Sequence, residues 1–189
     1  MRGQRWGTEG PPEEAYSRVS RDLPVVFAPV ARRLEALPPQ LEERYRVNAR
    51  TPTLSEATRL TAAQPHWPIS RAVALHPSAP GASVLIVGRW DADDGGFGIV
   101  VALGEQLAYV FPSCWCDACD TDAEEVLDDL DYYLDAVTGG FIEYRDHGML
   151  GFRYAGGGKA HGGSEGPDLA REWAAWGRHN GSPDPASGG

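Results

Sequence analysis

The stretch Phe97-Gly98-Ile99-Val100-Val101-Ala102-Leu103-Gly104-Glu105-Gln106-Leu107-Ala108-Tyr109-Val110-Phe111 holds two apolar runs, Phe97–Leu103 and Gln106–Phe111, on either side of Gly104-Glu105. Short runs rich in branched and aromatic residues, bounded by turn residues, read as neighbouring strands. Two more precede them, Ala72–Leu75 and Ser83–Arg89, set off by His76-Pro77-Ser78-Ala79-Pro80-Gly81 and by Asp91–Gly96. Connections this short predict an antiparallel meander.

Downstream, Asp120–Thr138 predicts a helix. Thr121 and Glu124 have capping-box spacing, Ala123, Val126, Leu127, Leu130, Leu134 and Val137 form one apolar stripe, and Gly139-Gly140 ends it. Phe141–Arg145 and Met149–Tyr154 flank Asp146-His147-Gly148, the pattern of a hairpin. Ala155–Gly166, with six glycines, reads as a flexible loop, and Pro167–Trp176 as a last helix burying Leu169, Trp173 and Trp176. Upstream, Pro12-Glu13-Glu14 opens a short helix over Glu13–Val19, and Val25–Leu37 has helical spacing that Pro38-Pro39 should kink or divide before it resumes through Leu41 and Tyr45. Thr51–Pro68, with three prolines, reads as an irregular connection. This order predicts an α+β fold, an antiparallel sheet of about five or six strands with helices packed on one face. The expected organisation is a flexible leader over 1–12, a single domain over 13–177 and a disordered tail over 178–189.

The 189 residues carry 17 Lys and Arg against 27 Asp and Glu, a net charge of −10. Scattered and outnumbered basic residues argue against a nucleic-acid partner. No apolar run reaches the roughly 18 residues of a spanning helix, and the first 30 residues lack a signal-peptide pattern, so a cytoplasmic protein away from membranes is expected.

All three cysteines fall within Phe111-Pro112-Ser113-Cys114-Trp115-Cys116-Asp117-Ala118-Cys119-Asp120. An odd, clustered count without a signal peptide argues against a disulfide framework and for a metal. In an extended segment Cys114 and Cys116 face one way and Trp115 the other, and a turn at Asp117-Ala118 would bring Cys119 back to them. Zinc favours such thiolate-rich sites. Asp117, Asp120 and Asp122 around the cluster disfavour free thiolates, which opposes a redox role and suits a cation. A fourth ligand would come from His147, His161 or Asp117, with His179 and Asp120 as further candidates; His66 and His76, beside prolines, look less free. Four protein ligands would make the site structural, three plus water potentially catalytic.

Glu14-Ala15-Tyr16-Ser17-Arg18-Val19-Ser20, Phe27-Ala28-Pro29, Phe111-Pro112 and the motif Cys114-x-Cys116-Asp117-Ala118-Cys119-Asp120 with Glu124 resemble a bacterial family of uncharacterised proteins, a domain of unknown function. Its motif usually reads F-P-x-C-G-C-D-A-C-D, so Trp115 replaces a glycine. The resemblance covers roughly residues 13–145 plus the expected tryptophan-containing last helix, and implies a single-domain bacterial protein with the cysteine knuckle as hallmark. It implies no activity.

Other motifs have plainer explanations. Glu124, Glu125, Asp128, Asp129, Asp131 and Asp135 form the solvated face opposite the apolar stripe, with Asp135, near the negative helix end, hinting at a nearby arginine. Asp91–Gly96 lacks the final glutamate of a calcium loop, because position 102 is Ala102. Gly156–Ala160 is not a phosphate loop, and neither G-x-S-x-G nor H-E-x-x-H occurs. The expectation is a zinc-stabilised domain binding a protein or small-molecule ligand. The competing classes are a zinc enzyme with an open coordination position, using Asp117 or Asp120 for proton transfer, and a thiol redox protein using Cys116 and Cys119.

Overall fold

The architecture comes from a computed structural model that describes residues 10–66, 68–92, 96–162 and 165–179. The expected leader up to residue 9, the tail from residue 180, and parts of the Asp91–Gly96 turn and the glycine-rich stretch lie outside the described residues. The fold is α+β. Strands β1 (Val47–Arg50), β2 (Ile69–Pro77), β3 (Leu85–Asp91), β4 (Phe97–Leu103) and β5 (Leu107–Phe111) form a five-stranded antiparallel sheet in that order. Strand β4 is buried along its whole length, which is why it reads as a continuous apolar run rather than an alternating one. Its odd positions, Phe97, Ile99, Val101 and Leu103, join the main core; its even positions, Val100 and Ala102, join a second cluster on the opposite face.

Helices α1 (Leu23–Val26), α2 (Ala28–Arg44) and α4 (Ala123–Gly139) contribute Leu23, Val30, Leu37, Leu130 and Val137 to the main core. This is the expected helix layer. A further helix, α3 (Leu54–Ala63), places Leu60 in the second cluster and gives the sheet a second cover. It lies within the segment expected to be irregular. Thr53 caps it, accepting from the Glu56 N–H at 3.4 Å while the Glu56 carboxylate accepts from the Thr53 N–H at 2.7 Å.

Three other expectations are corrected. Helix α2 runs unbroken through Pro38 and Pro39, with Leu37 fully buried and Leu41 nearly so on either side, so core packing outweighs the hydrogen bonds that the prolines forfeit. The glycine-rich loop contains a strand, β8 (Gly157–His161), beside β7 (Met149–Tyr154). A Cβ on Gly158 would stand 2.5 Å from the Phe152 carbonyl oxygen, so glycine is what permits the close pairing. The segment Pro167–Trp176 is not a helix: β9 (Leu169–Trp173) pairs with β6 (Phe141–Asp146), completing a four-stranded sheet ordered β8-β7-β6-β9. The unpaired edge of β6 needs backbone partners, and this long-range demand overrides a local pattern that suits a helix. The β6–β7 hairpin turns at His147 (φ 48°) and Gly148 (φ 76°), both left-handed as its short connection requires. Arg178 and His179, expected to begin the disordered tail, pair instead with the end of α2: the His179 N–H donates to the Arg44 carbonyl at 3.1 Å.

Among the described residues no helix is long and apolar enough to cross a membrane.

Candidate metal centre

Strand β5 ends at Phe111, and the chain passes through a cis Phe111–Pro112 bond into the cysteine segment. A turn over residues 117–119 closes it, with the Asp120 N–H donating to the Cys116 carbonyl at 3.1 Å and Asp120 itself left-handed (φ 49°). Aspartate tolerates that conformation better than most residues. The three sulfurs thereby lie within 4.8 Å of one another, Cys116 buried, Cys114 partly buried and Cys119 exposed. A tetrahedral zinc with 2.3 Å bonds would set the sulfurs about 3.8 Å apart, inside the limit that this cluster keeps.

The knuckle is held by a segment about a hundred positions earlier. The Asp117 carboxylate is completely buried and accepts from Arg18 Nε at 2.7 Å and from the Ser20 N–H and hydroxyl, each at 2.9 Å. The Asp117 and Ala118 N–H groups donate to the carbonyls of Arg18 and Ala15, at 2.8 and 3.1 Å. Arg21 donates to the carbonyls of Thr121 and Trp115 and stands 3.5 Å from Asp120. Asp122 caps α4, accepting from the Glu125 N–H at 2.9 Å, in place of the expected Thr121–Glu124 box.

These contacts change the electrostatic argument made from sequence. Asp117 and Asp120 are matched by Arg18 and Arg21, and Asp122 faces a helix start, so the acids do not crowd the sulfurs as uncompensated charges. Burial pushes the Cys116 thiol up, but the Cys119 N–H, the neighbouring thiols and the Ala118 N–H outweigh it, and the net direction is down. Cys119 is pushed up to about 12, first by desolvation and then by Cys114 and Cys116.

The candidate fourth ligands are placed elsewhere. Among the described residues the converging donors are the three sulfurs, without a histidine or carboxylate. Asp117 is committed to Arg18 and Ser20. His147 sits exposed at the hairpin tip beside Asp146, at 3.5 Å, and His161 lies edge-on to Tyr109, with ring centroids 5.7 Å apart. His76 pairs with Glu56 at 3.0 Å, and His179 docks through its backbone on α2. On α4, the arginine expected near Asp135 is found on Asp131, where Arg33 stands at 3.0 Å; Asp135 is held above the ordinary carboxylate range by partial burial and by Asp131.

Beside the knuckle lies a groove of about 390 Å³. Its wall combines Tyr16 and Val19 from the N-terminal strap, His66 after α3, Trp90 of β3, and Trp115 and Cys114. The Trp90 and Trp115 rings meet at 4.9 Å. Among the described residues that wall it, none is Asp, Glu, Lys or Arg. His66, which looked less free in the sequence, is the histidine that shares this groove with the cysteines. The strap residues were missed altogether as site residues. Their signal was available: a run of acids around thiols calls for basic partners, and Arg18 and Arg21 lie in or next to the other motif that carries the family resemblance.

A family model described as a family of unknown function matches residues 2–182. No curated protein and no solved structure matches the chain.

Proposed function

The chain belongs to the DUF6226 family of unknown function, so its role has to be argued from the knuckle, and we propose that Cys114, Cys116 and Cys119 hold a zinc ion that stabilises a ligand-binding domain. The observation that supports this most is the convergence of three sulfurs on one point while each nearby aspartate is engaged with other groups. Bringing three thiols together without a cation leaves their ionised forms repelling one another; a divalent ion reverses that and favours the arrangement. Zinc fits the soft donor set, and it would tie the end of β5 to the start of α4.

In this reading the ion reinforces a bend that Arg18, Ser20 and Arg21 already hold. The fourth position is left to water or to a ligand from outside the described residues, which also admits a zinc-bound water and hydrolytic chemistry. Asp117 and Asp120, committed to arginines, are poorly disposed to move a proton there. A thiol redox role is favoured by one observation, the opposite displacement of the Cys116 and Cys119 thiols.

The test is metal analysis of the purified chain with thiol titration. The expected result is one zinc per chain, with thiols protected until a chelator is added, and loss of the metal in Cys116→Ser. Metal-free protein with freely titrating thiols would overturn the proposal, and a reversible disulfide in such protein would establish the redox role instead.

A further inference from the structure

The groove beside the cysteines is built of parts that meet only in the folded chain: the strap, the end of α3, the far end of β3 and the knuckle itself. Its described wall carries aromatic rings and small polar groups but no fixed charge. An uncharged wall offers no partner to an ionic ligand, and desolvating a charge against it is costly. The metal adds a second constraint. Three thiolates on a dication sum to −1, and the two nearest arginines are already matched with Asp117 and Asp120. The whole chain carries a net charge of −10. An anionic fourth ligand would increase an unbalanced negative charge, whereas a neutral donor adds none.

We propose that the groove bounded by Tyr16, Trp90, Trp115 and Cys114 binds a neutral aromatic nitrogen heterocycle whose ring nitrogen completes the coordination of the metal held by the cysteines. The proposal rests on the zinc reading above. Aromatic walls suit a flat ring, since stacked and edge-on contacts add to the area buried. The groove's 390 Å³ lies within the range of small-molecule sites. Cys114 and Cys116 belong to the wall, so a ring lodged there has its heteroatom beside two of the three metal-binding residues.

The test replaces zinc with cobalt(II) in the full chain and reads two separate signals. Sulfur-to-cobalt charge-transfer bands report loading of the cysteines, and the visible d–d bands report the fourth ligand. The titrants are 4-phenylimidazole, imidazole, benzyl mercaptan and acetate. The expected result is a d–d shift with 4-phenylimidazole at about tenfold lower concentration than with imidazole, the added ring being the group that the aromatic wall holds. Acetate and benzyl mercaptan should bind more weakly than either. Tyr16→Ala, at a side chain 61% exposed and so safe for folding, should reduce the tenfold preference to about threefold while leaving the charge-transfer bands unchanged. Charge-transfer bands without any d–d response, equal affinity for the two imidazoles, or tighter binding of the thiol or carboxylate would each overturn the ligand proposal and leave the metal reading standing. Absence of the charge-transfer bands would overturn both.

Discussion

Asp117 carries more of the knuckle than its neighbours because it is the acid with no access to water. Its carboxylate holds three donors from residues 18 and 20, which fix the strap against the bend that presents the sulfurs. Asp117→Ala should cost about 2–4 kcal/mol, since it strands the Ser20 donors and removes the buried partner of Arg18. Arg18→Ala should cost less, about 1 kcal/mol, because the arginine is 55% exposed and two donors remain on the carboxylate. Urea denaturation of the two variants checks the order, and equal losses would mean that the strap is held by something else. A second residue-scale prediction concerns His76. Partial burial and Arg50 lower its proton affinity below the usual 6.5, against the pull of Glu56. The unfolded chain then takes up a proton before the folded one does, so stability falls as pH drops below 6.5 until the folded His76 also titrates. Glu56 is displaced downward from 4.5, with the Thr53 hydrogen bonds, His76 and Arg50 outweighing its burial, so its own contribution is present above 4.5 and lost at still lower pH. Melting temperature measured from pH 7.5 to 5.5 should decline less in His76→Gln than in the parent. Parallel curves would remove His76 from the account.

At the scale of elements, the capping box of α3 is the instructive case. Thr53 and Glu56 have the same spacing as Thr121 and Glu124, but only the first pair closes a box. Thr53→Ala should destabilise the protein by about 1 kcal/mol, and Thr121→Ala, whose hydroxyl does not cap α4, should have a smaller effect. Thermal unfolding of the two variants compares them directly. The same comparison explains what was legible in the sequence. The meander strands and the β6–β7 hairpin show because their apolar runs and turn residues are local signals. Helix α3 was obscured by the prolines around it, although its box was present. Strand β9 could not be read at all: what makes it a strand is the free edge of β6, contributed by distant residues in a register that runs from Phe141↔Trp173 to Arg145↔Leu169. The knuckle's three cysteines were legible from their crowding, while its clasp was not, because the charges that balance Asp117 and Asp120 come from residues 18 and 21.

For the molecule as a whole, the question is what joins the two sheets. The main core supplies the apolar part, with Leu103 and Leu107 of the first sheet and Phe141 and Phe152 of the second in one cluster. The polar part comes from Arg145 of β6, which donates to Gln106, from Arg171 of β9, which pairs with Glu105, and above all from Glu143 of β6, which is almost completely buried. Its carboxylate reaches the β4–β5 turn and accepts from the N–H groups of Glu105 at 2.9 Å and Gln106 at 2.8 Å, and from the Trp173 indole at 3.0 Å on β9. The turn is shaped around it. Gly104 is left-handed (φ 61°), and a Cβ there would fall 2.4 Å from a Glu143 oxygen, so both its conformation and its lack of a side chain are required. Glu143→Ala leaves three donors without an acceptor and a void between the sheets, a loss of about 3–5 kcal/mol. Glu143→Gln keeps the shape but turns an acceptor into a donor facing N–H groups, and should cost about 2 kcal/mol. Gly104→Ala should be as damaging as Glu143→Ala, and combining the two should cost less than their sum, because both remove the same contact. A double-mutant cycle in urea measures this directly; strict additivity would show that the carboxylate and the shape of the turn act independently.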